Sequence, residues 1–329
     1  MTLTFTIILV LCVTGNLTVI LIVALRKDMH TVPNIFITSL SASDLLIGLV
    51  ALTLTIIQIN GLMPFNKASC LLPVYFETVA FTASVYSLLA VTFDRYTAVV
   101  FATTKAWTIR TGVRTVFAVW LTSCVYSAKM FFSILTVGHL HAITNTCGNR
   151  TKFCNLLIEE DDDDLYYRIT DFIVLFVIPI ILMTLMYARI ARRLWTKSMA
   201  ITNVVRNKRR IVKFLITNVV LFFFSWLPFY MIDIIFDSIN MIMGIDIHDV
   251  DAFTKSLTYV ILRFVFTVLA LANSVVNPIV YAYFNQNFRM ELGKIKKACG
   301  CVARIQPIGV IEHHNHIPRT HSSQIEPRS

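Results

Sequence analysis

The chain has 329 residues, of which 56% are hydrophobic and only 15% are charged, and its formal net charge is +10. A soluble domain carries about a quarter charged residues, so this composition excludes an ordinary soluble protein and indicates a membrane protein. The positive charge flanks apolar stretches that are long enough to span a bilayer, which excludes nucleic-acid binding as its explanation.

Seven apolar stretches are long enough to cross the hydrocarbon core of a bilayer, which takes about 20 helical residues. They lie at roughly 2–25, 33–60, 69–101, 112–135, 166–190, 211–237 and 255–283. The first lacks the basic start and cleavage site of a signal peptide, so we interpret it as a span. We expect no extracellular tail before it unless the sequence is a fragment. The prediction is an all-α membrane protein built as a seven-transmembrane helix bundle.

The charges of the connecting segments divide unequally between the two sides of the membrane. One side carries 22 Lys and Arg against 5 Asp and Glu, whereas the other carries 7 against 13. The positive-inside rule places the first side in the cytoplasm. We therefore predict a plasma-membrane protein with an extracellular N-terminus and a cytoplasmic C-terminus.

A basic amphipathic pattern follows the seventh stretch and ends near Lys297, which is typical of a short eighth helix on the inner leaflet. We assign residues 1–298 to the membrane domain and residues 299–329 to a disordered cytoplasmic tail. Cys299 and Cys301 follow this helix and are candidates for palmitoylation.

The third stretch carries polar residues at three depths. Glu77 and Arg95 are eighteen residues, or five helical turns, apart, so they share one face and lie roughly 27 Å apart along the axis. Ser84 falls on nearly the same stripe. Asp44 lies inside the second stretch, where an ionisable group is costly unless it is paired or hydrated, and is therefore a functional candidate.

The segment between the fourth and fifth stretches is predicted to be extracellular, where disulfides form. Cys70, at the start of the third stretch, is expected to pair with Cys154 or Cys147, and we prefer Cys154 because it lies nearer the fifth stretch. Asn149 begins a glycosylation sequon in this segment. The chain has no phosphate-binding loop, zinc-ligand spacing or nucleophile elbow, so we predict no enzymatic activity.

Each of the seven stretches carries a motif that resembles one of the class A, or rhodopsin-like, G-protein-coupled receptors. The matching residues are Gly15-Asn16, Asp44, Cys70, Asp94-Arg95-Tyr96, Trp120, Pro179 with Tyr187, Trp226-Leu227-Pro228 and Asn277-Pro278-Ile279-Val280-Tyr281. The resemblance covers residues 1 to about 301. It implies a cell-surface receptor that activates heterotrimeric G proteins by outward movement of its sixth helix, with arrestin and a receptor kinase as further partners.

The resemblance also implies an activation switch, in which Asp94 holds Arg95 at rest. The residues implied in the switch or in G-protein coupling are Asp94, Arg95, Tyr96, Val85, Pro179, Tyr187, Phe222, Pro228, Pro278 and Tyr281.

The resemblance further implies an allosteric sodium ion, with the ligands Asp44, Ser84, Asn273, Ser274 and Asn277. No other cofactor is expected. Basic residues at 208–210 stand where the family often has an acid that locks Arg95, which predicts some basal activity.

Acids and aromatic residues in the outer half of the predicted bundle favour a cationic ligand. Glu77 lies where biogenic-amine receptors place the aspartate that pairs with the ligand's ammonium, and a buried carboxylate needs a cationic partner or protonation. The residues predicted to bind the ligand are Glu77, Asp171, Asp233, Trp226, Phe229 and Tyr230. We therefore predict a receptor for a biogenic amine or a diamine.

A basic neuropeptide is the alternative ligand. Leu271 replaces the tyrosine that usually steadies the amine-binding acid, and the acidic run at 159–164 suits a basic peptide. Leu271 also stands at the retinal-lysine position of opsins, which excludes an opsin. A third hypothesis is a constitutively active, orphan-type receptor. A transporter or channel would show inverted repeats, which the sequence lacks.

Overall fold

We describe the fold from a computed structural model of the chain. The described residues are 1–62, 67–101, 107–129, 142–144, 152–154, 163–196, 203–243, 257–284 and 286–298. Only the backbone is described for Cys70, Cys154 and Asp233, and the residues Asn149, Cys299 and Cys301 lie outside the described part. The disulfide, the glycosylation, the palmitoylation and the disordered tail therefore stay predictions.

Seven long helices and one short helix follow one another along the described residues. They are α1 (Thr2–Leu25), α2 (Val32–Leu46, Ile47–Leu52 and Thr53–Ile59), α3 (Lys67–Tyr96 and Thr97–Phe101), α4 (Ile109–Ser127), α5 (Asp163–Asp171, Phe172–Val177 and Ile178–Thr196), α6 (Asn203–Met243), α7 (Leu257–Phe284) and α8 (Gln286–Ala298). All but α4 and α8 are long and apolar enough to cross a membrane. The helix α4 packs against α2 and α3 and completes the predicted bundle.

Several features of the secondary structure were not predicted, among them a hairpin and the start of α6. A hairpin pairs β1 (Ala142–Thr144) with β2 (Lys152–Cys154) in antiparallel register, with Ala142 opposite Cys154. The helix α6 begins at Asn203, eight residues before the apolar stretch, because a polar helical extension leaves no signal in hydropathy. The all-α fold class is nevertheless confirmed, since the hairpin is only a short element of one connecting segment.

A widened π-helical turn at Phe172–Val177 interrupts α5 directly before Pro179. Proline lacks an amide hydrogen and its ring collides with the carbonyl four residues earlier, so the ladder of hydrogen bonds shifts there. Pro228 and Pro278 lie inside α6 and α7, so all three predicted prolines occupy helices.

Buried polar side chains tie the helices together. The amide nitrogen of Asn16 on α1 donates to the backbone oxygen of Ser274 on α7 at 2.9 Å. At the neighbouring Gly15, an added Cβ would lie 3.0 Å from a ring carbon of Pro278, so a larger residue would need α1 and α7 to move apart by a few tenths of an ångström. Trp120 on α4 donates through Nε1 to the hydroxyl of Ser39 on α2 at 3.0 Å.

The short helix α8 is attached to the turn after α1 through Glu291. Its carboxylate binds Arg26 at 2.7 Å and Lys294 at 2.7 Å. The hydrogen bond from Lys294, aided by the charge of Arg26, lowers the pKa of Glu291. A lowered pKa means that this attachment contributes at neutral pH and is lost as the pH falls through the pKa of the folded state.

We expect Glu291→Gln to loosen α8 from the turn that carries Arg26, because it removes the charge that both cations bind. Backbone hydrogen exchange in residues 286–298 should then rise modestly, as is usual for an exposed ion pair. Lys294→Gln is the matched control, since it leaves the Arg26 contact in place. Equal exchange in the wild type and in Glu291→Gln would show that packing alone holds α8.

Candidate functional site

An aromatic cluster joins α3, α5 and α6. Phe81 packs against Trp226 with ring centroids 4.1 Å apart and stacks on Phe222 at 5.9 Å. Phe176 reaches Phe222 at 5.9 Å, and buried Val85 completes the base of the cluster. The structure thus brings Trp226, Phe222 and Val85 together, while their role as a switch stays a prediction. No role was predicted for Phe81 or Phe176, although Phe81 lies one turn from Glu77 on the same face.

Two predicted ligand residues extend this cluster toward the outer side. Phe229 meets Trp226 edge to face at 5.7 Å, and Tyr230 packs against Phe176 at the same distance. Tyr230 also interacts electrostatically with both Glu77 and Asp171. Of the predicted ligand residues, Trp226 and Phe229 make ring contacts with Tyr230.

An internal cation faces Glu77. Arg263 of α7 interacts electrostatically with the Glu77 carboxylate, and its guanidinium carbon lies 5.8 Å from the ring centroid of Phe229. Arg263 is therefore a cation of the chain itself that influences Glu77, and the role of Glu77 in binding a cationic ligand stays a prediction. The signal was present in the sequence, since a charged residue inside a predicted span is a functional candidate.

A second internal cation holds Asp171. Lys129, at the outer end of α4, forms an ion pair with this carboxylate, and the Tyr126 hydroxyl donates to the same oxygen. The Lys129 ammonium also lies 3.1 Å from the Tyr126 hydroxyl and 4.1 Å from its ring centroid. Asp171 is therefore not an unpaired acid either. We call Glu77, Arg263, Asp171, Lys129 and Tyr126 the outer charged cluster.

The residues predicted to hold sodium lie together in the core. Asn277 donates through Nδ2 to Asp44 Oδ2 at 2.8 Å, and Ser274 hydrogen-bonds the same carboxylate. Ser84 and Asn273 are also buried. A carboxylate with hydroxyl and amide oxygens is a donor set that suits a hard cation. These residues fit a sodium ion, which stays a prediction.

At the end of α3 that is predicted to be cytoplasmic, the Asp94 carboxylate binds its neighbour Arg95 through Nε at 2.8 Å and through Nη2 at 2.5 Å. Asp94 is only 3% exposed, so this pair is partly shielded from water. The Tyr187 hydroxyl shares a hydrogen bond of 2.6 Å with Thr92, and Arg189 donates to the Tyr96 hydroxyl at 3.3 Å. The arrangement links α3 to α5 and leaves Arg95 held by Asp94.

The helices α6 and α7 contain two buried polar side chains that sequence reasoning did not pair. The hydroxyl of Tyr281 is buried and has no hydrogen-bond partner within the described part of the chain, although its ring packs on Phe214 at 5.2 Å. Both polar side-chain atoms of Asn218, one turn from Phe214, are likewise buried without a partner among the described residues. Such groups are rare in stable cores.

Comparison with known proteins gives consistent similarities. A family model described as 7 transmembrane receptor (rhodopsin family) matches residues 15–281. Neuropeptide FF receptor 2 of Mus musculus is 29% identical over 298 residues, covering 87% of this chain and 69% of that protein. The QRFP-like peptide receptor of Branchiostoma floridae is 32% identical over 296 residues, covering 87% and 74%. The tachykinin-like peptides receptor 86C of Drosophila melanogaster is 29% identical over 313 residues, covering 91% and 58%.

Proposed function

This chain belongs to the rhodopsin family of seven-transmembrane receptors, and on that premise we propose that it is a receptor for an extracellular basic neuropeptide. Family membership makes it a multi-pass membrane receptor that couples to G proteins, and not an enzyme. The observation that carries the proposal is similarity over most of the chain to receptors that are named for peptides. This favours the alternative ligand over the amine.

The outer charged cluster supports the same choice. A small amine gains most of its affinity from one carboxylate, and both described acids of this cluster already face internal cations. A peptide can contribute many further contacts, so it can compete with those cations for the acids. The excess of acidic residues on the predicted outer side favours a basic peptide among peptides.

The charge asymmetry supports an extracellular N-terminus, which places the outer charged cluster on the side from which a peptide arrives. Binding above the aromatic cluster would then favour outward movement of α6 and expose Arg95 to the G protein. Arrestin and a receptor kinase are proposed as further partners on the cytoplasmic side.

We expect cells expressing the receptor to respond to at least one member of a panel of neuropeptide FF, a QRFP-like peptide, a tachykinin-like peptide and other amidated basic peptides. Calcium and cyclic-nucleotide signals would report the response. Biogenic amines and polyamines should be silent at the same concentrations, and cells expressing Arg95→Ala at an equal surface level are the control. Activation by an amine, with every peptide silent, would restore the amine interpretation.

We expect Glu77→Gln to lower the potency of a basic peptide agonist by roughly tenfold or more, because truncating one partner of a buried charge pair costs about 2–5 kcal/mol. Glu77→Asp is the matched control, since it keeps the charge. Both receptors are also measured with a peptide whose basic residue is replaced by norleucine, which completes a double-mutant cycle between Glu77 and that residue. If the two changes together cost as much as their sum, Glu77 does not contact that basic residue.

A further inference from the structure

The ion pair of Lys129 and Asp171 has the composition of an ammonium-binding site. The Lys129 ammonium contacts a carboxylate on one side and lies 4.1 Å from the centroid of the Tyr126 ring on the other. Carboxylates and aromatic faces are the two groups that proteins combine to hold a primary ammonium. The Tyr126 hydroxyl donates to the same carboxylate oxygen, which fixes the carboxylate against the ring.

Three different positions build this site. Asp171 ends the first segment of α5, directly before the widened turn, whereas Tyr126 and Lys129 lie three residues apart near the outer end of α4. The side chains of Lys129 and Asp171 are each 23% exposed, so the ammonium can leave the carboxylate toward solvent without being buried elsewhere. The site is therefore preformed and can exchange its occupant.

We propose that Asp171 and Tyr126 form a binding site for an alkylammonium group, which the receptor's own Lys129 fills until a ligand displaces it. Lys129 thereby determines ligand specificity. The existence of the site stands on its geometry alone, and only the consequence for the ligand rests on the proposed peptide receptor.

The specificity follows from competition between a tethered and a free cation. A tethered group presents an effective concentration of roughly millimolar, so a free monoamine at lower concentration does not displace Lys129. A ligand with additional contacts overcomes this barrier because those contacts supply the remaining free energy. The site therefore rejects small amines and admits larger cationic ligands.

Chemical rescue of the full-length receptor tests the proposal. The variant Lys129→Ala removes the occupant and leaves room for n-butylammonium, which has the chemistry of the lost side chain. We expect the midpoint of thermal unfolding to fall in Lys129→Ala and to recover by at least half, saturably, in millimolar n-butylammonium. The wild type, whose site is filled, should not respond, and neither should the double variant Lys129→Ala with Asp171→Asn.

Neutral n-butanol controls for the volume of the alkyl chain and should rescue none of the proteins. If Lys129→Ala does not respond, or if the double variant responds equally, the proposal is wrong. Should Lys129→Ala fail to reach the cell surface, n-butylammonium in the growth medium should restore its surface level only while Asp171 is present. No peptide enters either measurement, so a failure to find a peptide agonist and a failure of this site are distinguishable.

Discussion

Replacing Asp94 with asparagine is expected to raise ligand-independent G-protein signalling strongly. The buried carboxylate of Asp94 holds Arg95 through two hydrogen bonds of 2.8 and 2.5 Å. A hydrogen bond to a charged group contributes about 1.5–3 kcal/mol, and each 1.4 kcal/mol changes an equilibrium about tenfold. Losing the charge should therefore move the balance between resting and active receptor by roughly tenfold or more. Binding of a GTP analogue in membranes, normalised to receptor number, measures the effect.

Asp94→Glu is the matched control, because it keeps the charge that holds Arg95. Neutralising Asp94 should raise basal signalling strongly because residues 208–210 of α6 are all basic. An acid at these positions could otherwise also bind Arg95 in the resting state. An unchanged basal signal in Asp94→Asn, with the variant present at the cell surface, would show that this pair does not hold the resting state.

The helices were predictable because bilayer thickness and apolar side chains limit where a span can begin and end. The predicted stretch at 2–25 coincides with α1, and the stretches at 33–60 and 255–283 differ from α2 and α7 by one or two residues. The widened turn before Pro179 was not predicted, because hydropathy does not report how a helix adjusts its hydrogen bonds around proline. The polar start of α6 was missed because a polar extension of a helix does not raise the hydropathy of the sequence.

The sequence marks Glu77 and Asp171 as acids inside apolar stretches, and their role in ligand binding stays a prediction. The cations that interact with them could not be predicted from the sequence. Their partners, Arg263 and Lys129, lie on other helices, and only the packing of the bundle brings the charges together. Depth along a helix can be read from sequence, whereas contact between helices depends on rotation and tilt, which periodicity does not fix.

Replacing Asn218 with leucine is expected to lower basal signalling and to stabilise the resting receptor. The side chain of Asn218 is 3% exposed, and its two polar atoms have no partner within the described residues. A buried unsatisfied group costs about 1–3 kcal/mol in the closed packing of α6 and α7, and the proposed outward movement of α6 would admit water to it. Asn218 therefore biases the receptor toward the active state.

Leucine has the same number and branching of side-chain heavy atoms as asparagine, although its methyl groups make it larger, and it needs no hydrogen bond, so removing this bias should lower basal GTP-analogue binding by roughly 5- to 150-fold. The midpoint of thermal unfolding should rise. Thr217→Val is the matched control, because the hydroxyl of Thr217 already donates to the backbone oxygen of Lys213 at 2.9 Å. Removing this hydroxyl therefore removes no unsatisfied polar group from the resting receptor. A higher basal signal in Asn218→Leu would mean instead that Asn218 stabilises the resting state.

Combining Asn218→Leu with Asp94→Asn separates the two effects. Asp94 restrains Arg95 on α3, whereas Asn218 acts on the packing of α6, so the two changes oppose each other through different contacts. If they are independent, their free energies add to within about 0.5 kcal/mol and the double variant signals between the two single variants. If Asn218→Leu instead abolishes the effect of Asp94→Asn, release of Arg95 has no consequence until α6 moves, and the packing of α6 is the controlling step.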